Sequence, residues 1–137
     1  MRKPFDGLIQ EARNARTGGQ LTEARRGYGN AAVLAREAGD QARLAFALRH
    51  ISELDLEDGS FDAALAAGNE AVSILDADRA MQPLDLANAL RVTALAFEAL
   101  ARRAEAVARW QQARALYAAL DVLEGVTECD DYLGRPL

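Results

Sequence analysis

Apolar and small residues recur along this 137-residue chain in one pattern written three times. Leu8, Ala12, Ala24, Ala31 and Leu34 are matched by Leu48, Ser52, Ala64, Ala71 and Ile74, and again by Leu90, Ala94, Ala106, Ala113 and Leu116. Within each copy the intervals are 4, 12, 7 and 3, and the copies stand 40 and 42 residues apart. Intervals of 3, 4 and 7 keep side chains on one helical face. The interval of 12 crosses Gly18-Gly19 in the first copy and Asp58-Gly59 in the second, so each copy reads as a helix hairpin. A fixed period of this length belongs to stacked repeats, in which each unit buries its apolar face against its neighbours.

The signals between these positions set the element boundaries. Pro4 suits the first turn of a helix, and Leu8, Ile9, Ala12 and Ala15 continue it to Thr17-Gly18-Gly19. Leu21 to Ala38 carries Ala24, Tyr28, Ala31, Leu34 and Ala35 on one face and stops at Gly39. Gly27 and Gly29 inside this helix each cost about 1 kcal/mol relative to alanine, which predicts close helix contact at both. The second hairpin is expected over about 40–58 and from Ser60, a good N-cap type, to Arg79. Met81-Gln82-Pro83 breaks the pattern, and the third hairpin follows over about 84–101 and 103–120, its turn at Arg102-Arg103 lacking the glycine of the other two. After Asp121, Leu123, Val126, Cys129 and Leu133 share a face, as expected of a helix that covers the end of the stack. The whole chain, 1–137, is one domain: repeats over about 5–39, 40–80 and 83–120, then a capping helix over about 122–133.

Composition supports the helical reading. Thirty alanines favour helices at close spacing, and no run of alternating β-branched and aromatic residues marks a strand. The net charge of −5 argues against a protein that binds nucleic acid by covering phosphates. Lys3 is the one lysine, so the cations are almost all planar guanidinium forks suited to carboxylates, unless the arginines reflect a bias of the source genome. Cys129 is the sole cysteine, which excludes an internal disulfide and a cysteine-built metal cluster. No apolar run follows the two N-terminal cations and no 18 apolar residues run together, so neither a secretory signal nor a membrane span is expected, and the expected location is cytoplasmic.

Each repeat contains the series Gly19, Leu21, Ala24, Tyr28, Ala31; Gly59, Phe61, Ala64, Gly68, Ala71; and Ala101, Arg103, Ala106, Trp110, Ala113. This series resembles the tetratricopeptide repeat, with a period longer than the family's usual 34 and closer to the repeats of kinesin light chains and of bacterial regulator sensor segments. The resemblance covers about residues 5–133. It implies an all-α, right-handed superhelix of three helix hairpins plus a C-terminal capping helix, with the first helix of each pair lining a concave groove. The groove residues it implies are Asp6, Ile9, Arg13 and Arg16, then Phe46, Arg49, Glu53 and Glu57, then Asn88, Arg91, Leu95 and Glu98. Arg49 and Arg91, in equivalent places, would join Asn88 in holding a peptide carboxylate. The carboxylate clamp of chaperone-binding members is matched poorly, since its places fall on Ile9, Arg13, His50, Asn88 and Val92.

Enzyme chemistry finds little support. His50 is the sole histidine, so one chain cannot assemble a two-histidine metal site, and a nucleophilic Cys129 with His50 as base would require the cap to meet the second hairpin. Glu128, Asp130 and Asp131 read as a solvated helix face and not a calcium loop. Gly27-Tyr28-Gly29 falls inside a helix, where it cannot cradle phosphates. Trp110 and Tyr117 share a face, expected to pack against the cap, with an anchor for a partner or a second copy as the other reading. Phe46 is open to both binding and packing. The sequence therefore points to a non-catalytic module without cofactor or metal, which takes a protein or peptide ligand and neither nucleic acid nor membrane. Arg13, Phe46, Arg49, Glu53, Asn88, Arg91 and Leu95 are the groove residues. Self-association as a homodimer, or service as the sensor segment of a bacterial regulator, is the alternative.

Overall fold

The computed structural model describes residues 4–78 and 81–136. It is all-helical there: α1 (Phe5–Thr17), α2 (Leu21–Ala38), α3 (Gln41–Asp58), α4 (Phe61–Ala77), α5 (Pro83–Ala99), α6 (Arg103–Ala119) and α7 (Leu123–Leu133). Each helix packs on the next, making three hairpins and a terminal helix stacked as a solenoid, and α3 also touches α5. That contact marks the odd-numbered helices as the inner layer. No helix among the described residues is long and apolar enough to cross a membrane.

The small residues of the repeat pattern lie buried between the packed helices. Ala12, Ala24 and Ala31, Ser52, Ala64 and Ala71, and Ala94, Ala106 and Ala113 are all buried, each a residue that lets backbones approach. Ser52 keeps its hydroxyl satisfied by donating to the Ala64 carbonyl at 2.7 Å. Gly27 is required, because a Cβ there would stand 2.9 Å from the Cβ of Ala12. Gly29 is not: a Cβ would meet only the Arg25 guanidinium, at 3.6 Å, so of the two expected close contacts only one forms.

Five of the turns are built alike. The residue after the turn's left-handed position donates its N–H to the carbonyl five residues earlier: Gln20 to Ala15, Asp40 to Ala35, Ser60 to Asp55, Arg102 to Phe97 and Val122 to Tyr117, all at 2.8–2.9 Å. This is the Schellman closure of a helix, and it demands a positive φ. Gly19, Gly39 and Gly59 supply it, whereas Ala101 and Asp121 adopt it at φ 58° despite their side chains. The third hairpin thus keeps the turn of the other two without its glycine. Ser60 stands at the N-cap of α4 but makes no capping bond; its hydroxyl donates to Asp58 instead. α4 ends at Ala77, short of the expected Arg79, which lies outside the described residues. Because α5 begins 42 residues after α3, the longer second spacing arises in the α4–α5 linker.

α7 follows α3 in register at a distance of 82 residues. Positions that face back into the stack remain apolar or small: Ala47, Ala89 and Cys129 are buried equivalents. Positions that would face a further helix turn polar, with exposed Thr127 in place of buried Ala45 and Ala87 and exposed Asp130 in place of Leu48 and Leu90. Leu123, expected on the apolar face, is 70% exposed, one turn before the stripe formed by Val126, Cys129 and Tyr132. Gly125 lets α7 lie against Tyr117, whose ring carbon would be 2.5 Å from any added Cβ.

Candidate functional site

The inner face is assembled from three kinds of position that recur along α1, α3, α5 and α7. Asp6, Phe46, Asn88 and Glu128 are equivalent, as are Ile9, Arg49, Arg91 and Asp131, and Arg13, Glu53 and Leu95. Between α1 and α3 the surface sinks into a depression of about 420 Å³, with Phe5, Ile9 and Phe46 as apolar lining and Arg13, Arg43 and Asp85 at its polar edge. The Arg13 guanidinium lies 5.7 Å from the centre of the Phe46 ring, and that of Arg49 lies 5.8 Å from it. Among the described residues no carboxylate pairs with Arg13, and its side chain is exposed.

Beneath Phe46 lies His50. Its imidazole stacks on Tyr28 at 4.7 Å and meets Phe46 at 4.6 Å, while Nε2 is 3.2 Å from the Arg49 guanidinium. Burial, and the positive charges of Arg49, Arg13 and Arg16, push its pKa down to about 3, so the ring is neutral at physiological pH. It is a neutral aromatic wedge beside the Arg49 guanidinium and the Glu53 carboxylate, which lies 3.6 Å from an Nδ1 that is buried and without a hydrogen bond. Trp110 on Tyr132 repeats the Tyr28–His50 stack at the other end of the molecule, at 4.4 Å. At the equivalent place in the second repeat, Gly68 removes the ring altogether and Thr93 and Val92 fill the space.

Ion pairs cross the rest of this face. Arg16 of α1 reaches Glu53 at 3.5 Å and bonds Glu57 on α3. Glu53 also receives Arg49 at 2.6 Å from one turn earlier. Arg91 makes two bonds to Glu128 of α7, the second at 3.0 Å, and this hydrogen bonding raises its pKa further. Asn88 accepts a 2.7 Å bond from the Tyr117 hydroxyl, itself pushed up to about 12 by burial. The structure thus brings Arg13, Phe46, Arg49 and Glu53 into one cluster and places Asn88 and Arg91 beside it, on α5. Leu95 is half-buried against the core and does not line the depression. Glu98 does not serve the groove: it accepts bonds from Arg103 and from the Trp110 indole at 3.3 Å, under the edge of α7.

Several expectations change with this geometry. Trp110 is fully buried beneath α7, so it packs and offers no anchor to a partner. The acidic run near the end is not simply a solvated face, because Glu128 pairs with Arg91 and Asp130 with Arg114 at 2.5 Å. Arg103 secures the same helix by donating to the carbonyls of Tyr132 at 2.6 Å and Arg135 at 3.0 Å. Cys129 is buried, its thiol pushed up to about 11 by desolvation. The sequence did not assign Phe5, Arg43, Asp85, Tyr28 or Glu128 to this face; carrying the 82-residue register from Phe46 onto α7 finds the last of these. No protein-family model and no curated protein matches the chain.

Proposed function

We propose that this chain is a non-catalytic binding module of the tetratricopeptide kind, which holds an extended peptide or a helix along its inner face. The observation that carries this reading is the α1–α3 depression, where an apolar lining of Phe5, Ile9 and Phe46 adjoins Arg13, with which no carboxylate pairs among the described residues. A bulky apolar side chain suits the lining, and an acidic neighbour suits Arg13, whereas Arg43 already lies within 3.9 Å of Asp6 and 3.7 Å of Asp40. Arg49 and Arg91 keep unused N–H donors beside their internal partners, and the Asn88 amide, its oxygen held by Tyr117, is oriented to offer its N–H₂ group. A peptide-binding module accounts for these features without chemistry at His50, which is neutral and stacked, or at Cys129, which is buried as the thiol.

The test is affinity capture from lysate with three baits: the wild-type chain, an Arg13→Glu/Phe46→Ala variant, and a Val33→Glu control at an exposed residue of α2. All three are first checked for equal helicity. Retention of one partner by wild type and control, with loss from the inner-face variant, is the expected result. Equal capture by all three overturns the assignment. With the partner in hand, Arg49→Glu and Arg91→Glu are each expected to weaken binding by more than about 1 kcal/mol in calorimetry.

A further inference from the structure

The geometry points to a latent carboxylate site at Arg91, filled in the free chain by Glu128 and open to an acidic side chain of a bound peptide. This deepens the inner-face reading and rests on it. The same two register positions recur on successive odd helices, as Ile9 and Phe46, Arg49 and Asn88, and Arg91 and Glu128; Ile9 and Phe46 line one depression, and Arg91 bonds Glu128 directly. The first pair is apolar, the second is a guanidinium bonded to Glu53 and an amide bonded to Tyr117, and the third is closed by a carboxylate that the chain supplies itself.

Glu128 is one of several contacts that dock α7. That helix is also held by the burial of Cys129, by Tyr132 on Trp110, by the bonds of Arg103 to the Tyr132 and Arg135 carbonyls, and by Arg114 with Asp130. Glu128 occupies the groove-lining position of its helix, and its side chain and that of Arg91 remain 31% and 34% exposed. Exchange of one carboxylate for another preserves both guanidinium bonds, so a ligand carboxylate replaces Glu128 without loss of pairing. Wild-type binding at this slot is therefore reduced by internal competition, and removal of the Glu128 charge strengthens it.

The experiment follows the arginine Nε–H signals and the phenylalanine ring signals by NMR during titration with three short probes. The first is acetyl-Phe-Gly-Glu-Glu-amide, the second has glutamines for the glutamates, and the third is the glutamine peptide with a free C-terminus. Wild type is compared with Glu128→Gln, and Trp110 emission confirms that α7 stays docked in both. In Glu128→Gln the Arg91 signal is expected to shift saturably with the glutamate probe alone, with an affinity about tenfold higher than in wild type, the worth of one charge-assisted contact. Addition of Arg91→Lys to that variant should abolish the gain. An Arg91 signal that behaves alike in both proteins, while Phe46 responds, overturns the latent site and leaves the inner-face reading standing. Silence at Phe46 as well removes both. A response to the free C-terminus alone assigns the slot to a chain end and overturns the side-chain reading.

Discussion

Ala101 and Asp121 occupy left-handed turn positions that glycine takes at 19, 39 and 59. A Cβ at such a position costs on the order of 1 kcal/mol. Ala101→Gly should therefore stabilise the fold by about 1 kcal/mol in urea denaturation, and Gly59→Ala should destabilise it by a similar amount. His50 offers a second residue-scale test. Its folded pKa of about 3 lies below the unfolded value of 6.5, so between these values the unfolded chain binds more protons. Its contribution is fully present above pH 6.5 and is lost as pH falls, by up to about 2 kcal/mol at pH 5. His50→Phe keeps an aromatic ring between Tyr28 and Phe46 and should flatten the wild-type stability slope between pH 7 and 5. A slope unchanged by this substitution contradicts the buried neutral imidazole. At this scale the sequence was informative about packing and less so about pairing. Ala12 and Ala64 are legible because a small residue at a repeating helical position has one physical use. The partners of Arg49, Asn88 and Glu98 are not, because a long polar side chain chooses among neighbours that only the packed helices bring near.

Helix α7 shows both sides of this at the scale of an element. Its existence and its capping role follow from the apolar spacing of Val126, Cys129 and Leu133, but the expected stripe included Leu123, which lies in solvent. The feature that seats it is Gly125 under the Tyr117 ring, and a lone glycine in a short amphipathic segment reads from sequence only as a helix weakener. Gly125→Ala forces α7 away from Tyr117 and should cost about 1–3 kcal/mol, as overpacking does. Because Tyr132 covers Trp110, the sole tryptophan, the same variant should show red-shifted emission. Native emission with unchanged stability contradicts this account of the cap.

Over the whole molecule the repeats are alike in backbone and unlike in what joins them. Arg36 and Glu70 tie α2 to α4 through two hydrogen bonds, at 2.8 and 3.1 Å; the equivalent positions on α4 and α6 carry Asp76 and Gln112, a carboxylate and an amide that cannot make this ion pair with each other. The inner layer likewise passes from an apolar depression at α1–α3 to a partly exposed ion pair at α5–α7. The repeat period made the solenoid legible, since stacking requires the same small residues in every unit. It left the proposed binding face less so, since that face is built where the units differ. Hydrogen exchange on the wild-type chain, with and without its captured partner, tests the central claim that this inner face is the binding surface. The account predicts added protection in α1, α3 and α5, greatest around Arg13 and Phe46. Protection confined to α2, α4 and α6, or none while the partner remains bound, contradicts it.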